Sequence, residues 1–306
     1  MIGAQLRQLA ELVWGRPWRA QDAVVVLTGA AGGIGSALAL RLASAGATLA
    51  LVDRDPVGLE QVRLSLPVPA STGHTTHEVD VLDEEQVAAL ARELTAHHGR
   101  IDVLVNNTGM TSAQRFADRS VASMVDEVML NTISPLAVTK AMLPLLRRSA
   151  DPRVVTTVSL AGMMPQAETP LYCASKFGLR GAMLSVALDL RAEGITVSCV
   201  LPSATDTRML RQEALDGGNV LQFQHPPQQP EDVVRAVVSL LRRPRLEAYP
   251  RAGEARQVRA IMAFPNLLPV LLPLFEKQGQ RGVVRYLDEL RRRGDVLEVD
   301  GREVLA

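Results

Sequence analysis

The hydrophobic residues of this chain fall into two patterns that alternate along it. Unbroken apolar runs, such as Val24-Val25-Val26-Leu27 and Val103-Leu104-Val105, read as strands buried on both faces, as in a parallel sheet. Between them, apolar positions recur three and four apart, as at Val87, Leu90, Ala91 and Leu94, which is the stripe of a helix lying on a sheet. Strands are expected at 23–27, 48–52, 77–81, 101–105, 153–159, 195–201 and 246–249, with helices at 36–43, 56–64, 84–97, 120–148, 172–190 and 231–242. Strands alternating with helices predict an α/β domain: a doubly wound parallel sheet of about seven strands with helices on both faces and a C-terminal helical extension.

The first run ends in Thr28-Gly29-Ala30-Ala31-Gly32-Gly33-Ile34-Gly35, and a helical pattern follows with Leu38 and Leu42 on the face of Ile34. Glycines at four of these eight positions stop the strand and let the backbone turn tightly against a ligand. Strand, glycine turn and helix N-terminus direct free N–H groups and the helix dipole at one point, an anion site suited to phosphate. A plain tight turn is the competing reading of the loop by itself. The second strand ends in Asp53, eighteen residues past Gly35. In a dinucleotide fold an acid there bonds the adenosine ribose hydroxyls and repels a 2′-phosphate. Arg54 comes next and could pair with that phosphate. Asp53 at the strand end, with no Lys or Arg in the glycine loop, favours NAD, and NADP is the alternative. Asp80 and Val81 end the third strand near where an adenine would lie. Asn106, Asn107 and Gly109 follow the fourth strand, beyond the carboxyl ends where open parallel sheets bind ligands.

Ser159 ends the fifth strand, and thirteen residues later Tyr172-Cys173-Ala174-Ser175-Lys176 opens a helix. Tyr172 and Lys176 share one helical face. A tyrosine with its ordinary pKa of about 10 is a poor base at neutral pH, but a neighbouring ammonium stabilises the phenolate. Tyr172 could then take a proton from an alcohol, or return one to a ketone, as hydride moves to or from a nicotinamide. Asn131 lies inside the 120–148 helix, a place its propensity disfavours and for which a reason is needed.

A Tyr-x-x-x-Lys alone is too common to carry weight; the order of the motifs carries it. Thr-Gly-x-x-x-Gly-x-Gly, Asn-Asn-x-Gly, Ser159 and Tyr172-x-x-x-Lys176 together resemble the short-form short-chain dehydrogenase/reductase family over about residues 22–250. The resemblance implies a Rossmann-type fold and an NAD(P)-dependent oxidoreductase interconverting a secondary alcohol and a ketone. It implies Tyr172 as acid/base, Lys176 lowering its pKa and binding the nicotinamide ribose, Ser159 orienting the substrate oxygen, and Asn131 holding a water in a proton relay. Gly29, Gly32, Gly33, Ile34, Gly35, Asp53, Arg54, Asp80, Val81, Asn106, Asn107, Gly109, Tyr172, Lys176, Pro202, Thr205 and Thr207 are the implied cofactor contacts. The last three belong to Pro202-Ser203-Ala204-Thr205-Asp206-Thr207, similar to the family loop that packs on the nicotinamide and bonds its carboxamide. Thr108 and Ser203 depart from the family's Ala and Gly. Family members are usually dimers or tetramers through the helices of Asn131 and Tyr172, so a homodimer or homotetramer is expected.

Composition narrows the surroundings. At 47% hydrophobic and 22% charged the chain can build a sizeable core. Thirty-three basic and 33 acidic residues balance, so no basic excess points to nucleic acid. Cys173 and Cys199 have no metal or C-x-x-C spacing, which favours a reduced, cytoplasmic setting and no metal site. No apolar run is long enough to span a bilayer, and none reads as a signal peptide.

Three segments are expected: an N-terminal amphipathic helix at 1–20, a catalytic domain at 21–252 and the extension at 253–306. The first, with Ile2, Leu6, Leu9 and Val13 on one face before Trp14 and Trp18, caps the domain or lies on a membrane surface. Residues 208–229 read as a mobile flap whose apolar side chains suit a lipophilic substrate. The apolar stretch 260–275 holds three prolines, which forbid one regular helix; it packs on a partner subunit, covers its own cleft, or dips into a membrane surface. The rival functions are an NADPH-preferring carbonyl or 3-oxoacyl reductase, a nucleotide-sensing protein without chemistry, and a membrane-surface scaffold.

Overall fold

The computed structural model describes residues 18–68, 73–112, 114, 116–299 and 302–306. Most of the helix expected at 1–20 lies outside them; Trp18, which is described, is buried in the core with Ala20. Seven strands form one parallel sheet: β1 (Val24–Thr28), β2 (Thr48–Asp53), β3 (Thr75–Glu78), β4 (Val103–Asn106), β5 (Arg153–Thr157), β6 (Thr196–Val200) and β7 (Glu247–Ala248). Their order is β3-β2-β1-β4-β5-β6-β7. Parallel neighbours need a crossover, and helices supply it: α1 (Gly33–Ala43), α2 (Pro56–Ser65), α3 (Glu84–His98), α4 (Val121–Leu146), α5 (Pro170–Asp189), α6 (Arg208–Leu215) and α7 (Pro230–Arg242).

Successive strand residues point to opposite faces, so the apolar runs fill two cores. Val25, Leu27, Leu49 and Leu51 pack with Leu38, Leu42, Val237 and Leu241 on one side of the sheet. Val26, Val52 and Leu104 pack with Leu90, Leu94, Met142, Leu179 and Met183 on the other. The chain leaves β1 in one direction for β2 and β3, then returns to β1's other side with β4. The crevice above that reversal is where a doubly wound sheet binds ligands.

Two expectations need correction. The third strand is Thr75–Glu78 rather than 77–81. It is an edge strand with half-exposed side chains, so it lacks the apolar run of the inner strands, and Val79 and Val81 enter the core from the loop behind it. Helix α4 is long and apolar enough by itself to cross a membrane, although no such run was expected; Val138, Met142, Leu145 and Leu146 use that apolarity against the sheet. The prolines of 260–275 forbid one regular helix, as expected, and the stretch is divided between two. A 92° bend at the Pro265 turn separates α8 (Ala252–Met262) from α9 (Leu268–Arg293). Pro269 falls in the first turn of α9, where a missing N–H breaks no helical bond.

Helix α9 shares a third small core with α6: Leu210, Ala214, Phe223, Tyr286 and Leu290. Gly279 and Gly282 lie so close to the 3-10 turn Val220–Phe223 that added Cβ atoms would stand 2.2 Å from Val220 O and 1.8 Å from Phe223 O. The segment expected as a flap thus packs against the extension. An antiparallel hairpin, β8 (Val296–Val299) with β9 (Arg302–Leu305), closes the chain.

Candidate active site

The glycine loop is built to hold its shape without side chains. Gly29 has a φ of +64°, a conformation few side-chain-bearing residues adopt. A Cβ on Gly35 would stand 2.0 Å from Gly29 O, so α1 can begin directly on the turn only with glycine there. Thr28 Oγ1 accepts hydrogen bonds from the backbone N–H of Asn107 (3.0 Å) and Thr108 (3.3 Å). Asn107 Nδ2 donates to Gly29 O at 3.2 Å, and its Oδ1 accepts from Thr157 Oγ1 at 3.1 Å. The ends of β1, β4 and β5 are thereby tied together around the loop. Asp53 Oδ2 accepts from Ala31 N at 3.0 Å, which fastens the acid at the end of β2 to the same loop, while Arg54 beside it is exposed.

A cleft of about 700 Å³ runs from Asp53 and Arg54, over Gly29, Gly32, Gly33 and Ile34, to Ser159, Tyr172 and Lys176. Asp80, Val81, Asn107, Gly109, Pro202, Thr205 and Thr207 also line it. Three expected site residues stand behind the wall instead. Asn106 lies beneath it, its Nδ2 donating to Thr139 Oγ1 (2.9 Å) and Thr156 Oγ1 (3.3 Å). Neighbours on a strand point to opposite sides, so when Asn107 faces the loop Asn106 cannot. Gly35 serves the turn rather than the cleft surface. Asn131 is fully buried in a π turn, Met129–Ile133. Its Oδ1 accepts from Met110 N (2.9 Å), and its Nδ2 donates to Met110 O (2.8 Å) and Ser175 Oγ (3.1 Å).

Ser175 Oγ donates in turn to Tyr172 O at 2.8 Å, which couples α4 to the first turn of α5. Ser159 hydrogen-bonds the Tyr172 side chain. Lys176 Nζ donates to Thr157 O at 3.4 Å and stands 5.6 Å from the centre of the Tyr172 ring. An added Cβ on Gly109 would be 3.3 Å from both Asn131 Oδ1 and Lys176 Nζ, so glycine leaves room for the two to converge. Ser203, placed where the family has glycine, needs no special backbone: among the described residues only Asp22 of the non-glycines has a positive φ.

Burial dominates the electrostatics of the site. Burial pushes the Tyr172 phenol above its ordinary value, the Ser159 hydrogen bond pulls it back, and the charge of Glu213 adds to the rise. Burial also lowers Lys176 to about 8, against the pull of Glu127. In the protein alone, burial is the largest influence on the Tyr172 phenol.

Sequence reasoning missed Gln166, Glu213 and Gln222, polar groups in the cleft wall. Glu213 is buried and accepts from Gln222 Nε2 at 2.6 Å. The available signal was its position between Leu210 and Ala214 on one helical face. From the extension, Ile261 and Phe275 line the cleft, while Phe264, Leu267, Val270 and Leu274 are exposed.

The family model described as short chain dehydrogenase matches residues 23–216. The chain belongs to the short chain dehydrogenase family. Levodione reductase of Leifsonia aquatica is 30% identical over 248 residues, covering 80% of this chain and 88% of that protein. Homo sapiens 15-hydroxyprostaglandin dehydrogenase (NAD(+)) is 32% identical over 193 residues, 61% of this chain and 70% of that one. A crystal structure of levodione reductase has a TM-score of 0.70 at 27% identity, covering 77% of this chain and 98% of the other. As a short chain dehydrogenase, the protein is an oxidoreductase acting on CH–OH donors.

Proposed function

We propose that the protein interconverts a secondary alcohol and a ketone on a lipophilic molecule of medium size, with NAD preferred over NADP. One observation carries this reading: Ser159, Tyr172 and Lys176 meet in a cleft whose far end is the glycine loop with Asp53. The residues fit a dinucleotide. The loop and the α1 N-terminus suit a diphosphate, and Asp53 can accept from ribose hydroxyls while repelling a 2′-phosphate. Asp80 and Val81 flank the adenine end. Ser203 Oγ, buried and unpartnered at the other end, offers a group to the nicotinamide. The relative named for NAD(+) supports the same preference, and Arg54 in the cleft wall is what favours the NADPH-linked reductase as the second reading.

The bound cofactor supplies the hydride acceptor or donor. Tyr172 takes the alcohol proton or returns it to the ketone, with Ser159 holding the substrate oxygen against it. Lys176 supplies positive charge to the phenolate that burial disfavours. Asn131 has given its side chain to Met110 and Ser175. It therefore has its main-chain carbonyl to offer a relay water, in a π turn where the backbone hydrogen bonds shift by one residue. Leu210, Leu221, Val258, Ile261 and Phe275 make the substrate end apolar.

The deciding experiment titrates the protein with NADH and NADPH, following nicotinamide fluorescence, and repeats turnover with Tyr172→Phe. Tighter NADH binding and a loss of about 10²–10⁴-fold in rate are expected. Binding of neither nucleotide, or full activity in Tyr172→Phe, would overturn the reading.

A further inference from the structure

Asp206 stands between Thr205 and Thr207, which line the cleft beyond Pro202, yet it is itself buried away from that surface. Its Oδ1 accepts from Tyr286 Oη at 2.7 Å and from Arg211 Nε at 2.8 Å, and its Oδ2 from Arg293 Nη2 at 2.9 Å. Burial alone would raise this carboxyl; the bonds from Arg211, Tyr286 and Arg293 hold it below its ordinary value. Asp295 takes the remaining reach of the two arginines, from Arg211 at 3.3 Å and Arg293 at 2.9 Å.

Two of the three donors come from α9, outside the segment that the family model matches. Tyr286 and Arg293 are seven residues apart, two helical turns, and so share a face. Gly279, another seven residues before Tyr286, continues that face onto Val220. On its other side the loop touches the phosphate turn: a Cβ on Gly33 would stand 2.9 Å from Thr207 Cγ2. A continuous line of contact therefore runs from α9 through Asp206 and Thr207 to the glycine loop.

We propose that Tyr286 and Arg293 are positioning residues for the nicotinamide end of the cofactor, acting through Asp206 to fix the backbone that presents Thr205 and Thr207. The inference rests on the NAD(P) reading above. The adenosine end is held separately, at Asp53 on the end of β2, so the two halves of the dinucleotide respond differently when the clamp is loosened. A purely structural role would weaken both halves alike or neither.

The test uses the full chain with Tyr286→Phe, which keeps the ring, and with Arg293→Gln and Arg293→Lys. Two probes are titrated: NADH, and ADP-ribose, which lacks only the nicotinamide. Tyr286→Phe and Arg293→Gln should weaken NADH about tenfold, the scale of one hydrogen bond to a charged group, while ADP-ribose changes less than about twofold. Arg293→Lys, which keeps a charged donor, should recover most of the NADH affinity. Equal weakening of both probes, or no weakening of NADH, overturns the clamp. If the unaltered protein binds neither probe, the cofactor reading itself falls first.

Discussion

Arg119 and Glu127 form an ion pair in which neither side chain has any surface open to solvent. Arg119 Nη2 also donates to Ser123 O and Ser123 Oγ, both at 2.9 Å. A buried pair need not stabilise relative to apolar residues, but losing one partner leaves a charge stranded in a low dielectric. Arg119→Met should therefore cost about 3–5 kcal/mol in urea unfolding, and the double change Arg119→Met with Glu127→Leu should recover most of it. If the double variant is as unstable as the single one, the pair is not the source of the loss.

Glu127 also lies one helical turn before Asn131 and acts on Lys176 through charge. Burial lowers Lys176 to about 8, and the carboxylate of Glu127 is the influence that opposes it. A negative neighbour favours the ammonium, so removing it must lower this value further. Glu127→Gln should shift the alkaline arm of kcat/KM to lower pH, below that of the parent enzyme. An unchanged arm, or one moved upward, would show that Lys176 does not sense Glu127 or does not set that limb.

Cofactor choice should turn on Asp53. Its two oxygens accept from Ala31 N and Asp55 N at 3.0 and 3.2 Å, which aims the remaining lone pairs along the cleft. Asp53→Ser removes a charged acceptor worth roughly 1.5–3 kcal/mol, or about 10- to 100-fold in affinity. NADH should weaken on that scale while NADPH, relieved of the repulsion and still beside Arg54, tightens. Equal losses for both nucleotides would mean that Asp53 only holds the loop.

The stripe Val121, Val125, Met129 and Ile133 is exposed along α4, with Phe177 and Leu188 exposed on α5. These apolar positions support assembly through the two helices that carry Asn131 and Tyr172. Val125→Glu should reduce the mass measured by sedimentation to that of a monomer while leaving the melting transition in place. A parent protein that already sediments as a monomer would sink the interface.

The inner strands were legible because burial on both faces leaves an unbroken apolar run, and much of the cleft lining was legible where glycine and small polar side chains interrupt such runs. The edge strand β3 satisfies no such demand, and it starts two residues and ends three residues before the expected bounds. Asn106 and Asn107 read alike in one dimension, although strand geometry sends them to opposite sides. The clamp on Asp206 was not legible because Tyr286 lies 80 residues away and sits in a helix that reads as polar-faced. Arg119 and Glu127 look like solvated charges until the packing of the helices encloses them.

The extension's part in substrate choice can be measured through Phe275, which reaches the cleft from α9 beside Ile261. Each methylene buried on binding contributes about 0.8 kcal/mol, nearly fourfold in kcat/KM. Across a series of secondary alcohols of increasing chain length, the parent enzyme should gain at about that rate until the cleft is filled. Phe275→Ala removes the wall against which the distal carbons pack, so its slope should flatten while short alcohols react as before. If the short alcohols lose as much as the long ones, Phe275 supports the catalytic groups rather than the chain. If neither loses, the substrate tail runs elsewhere, and the apolar corner of the extension has another occupant.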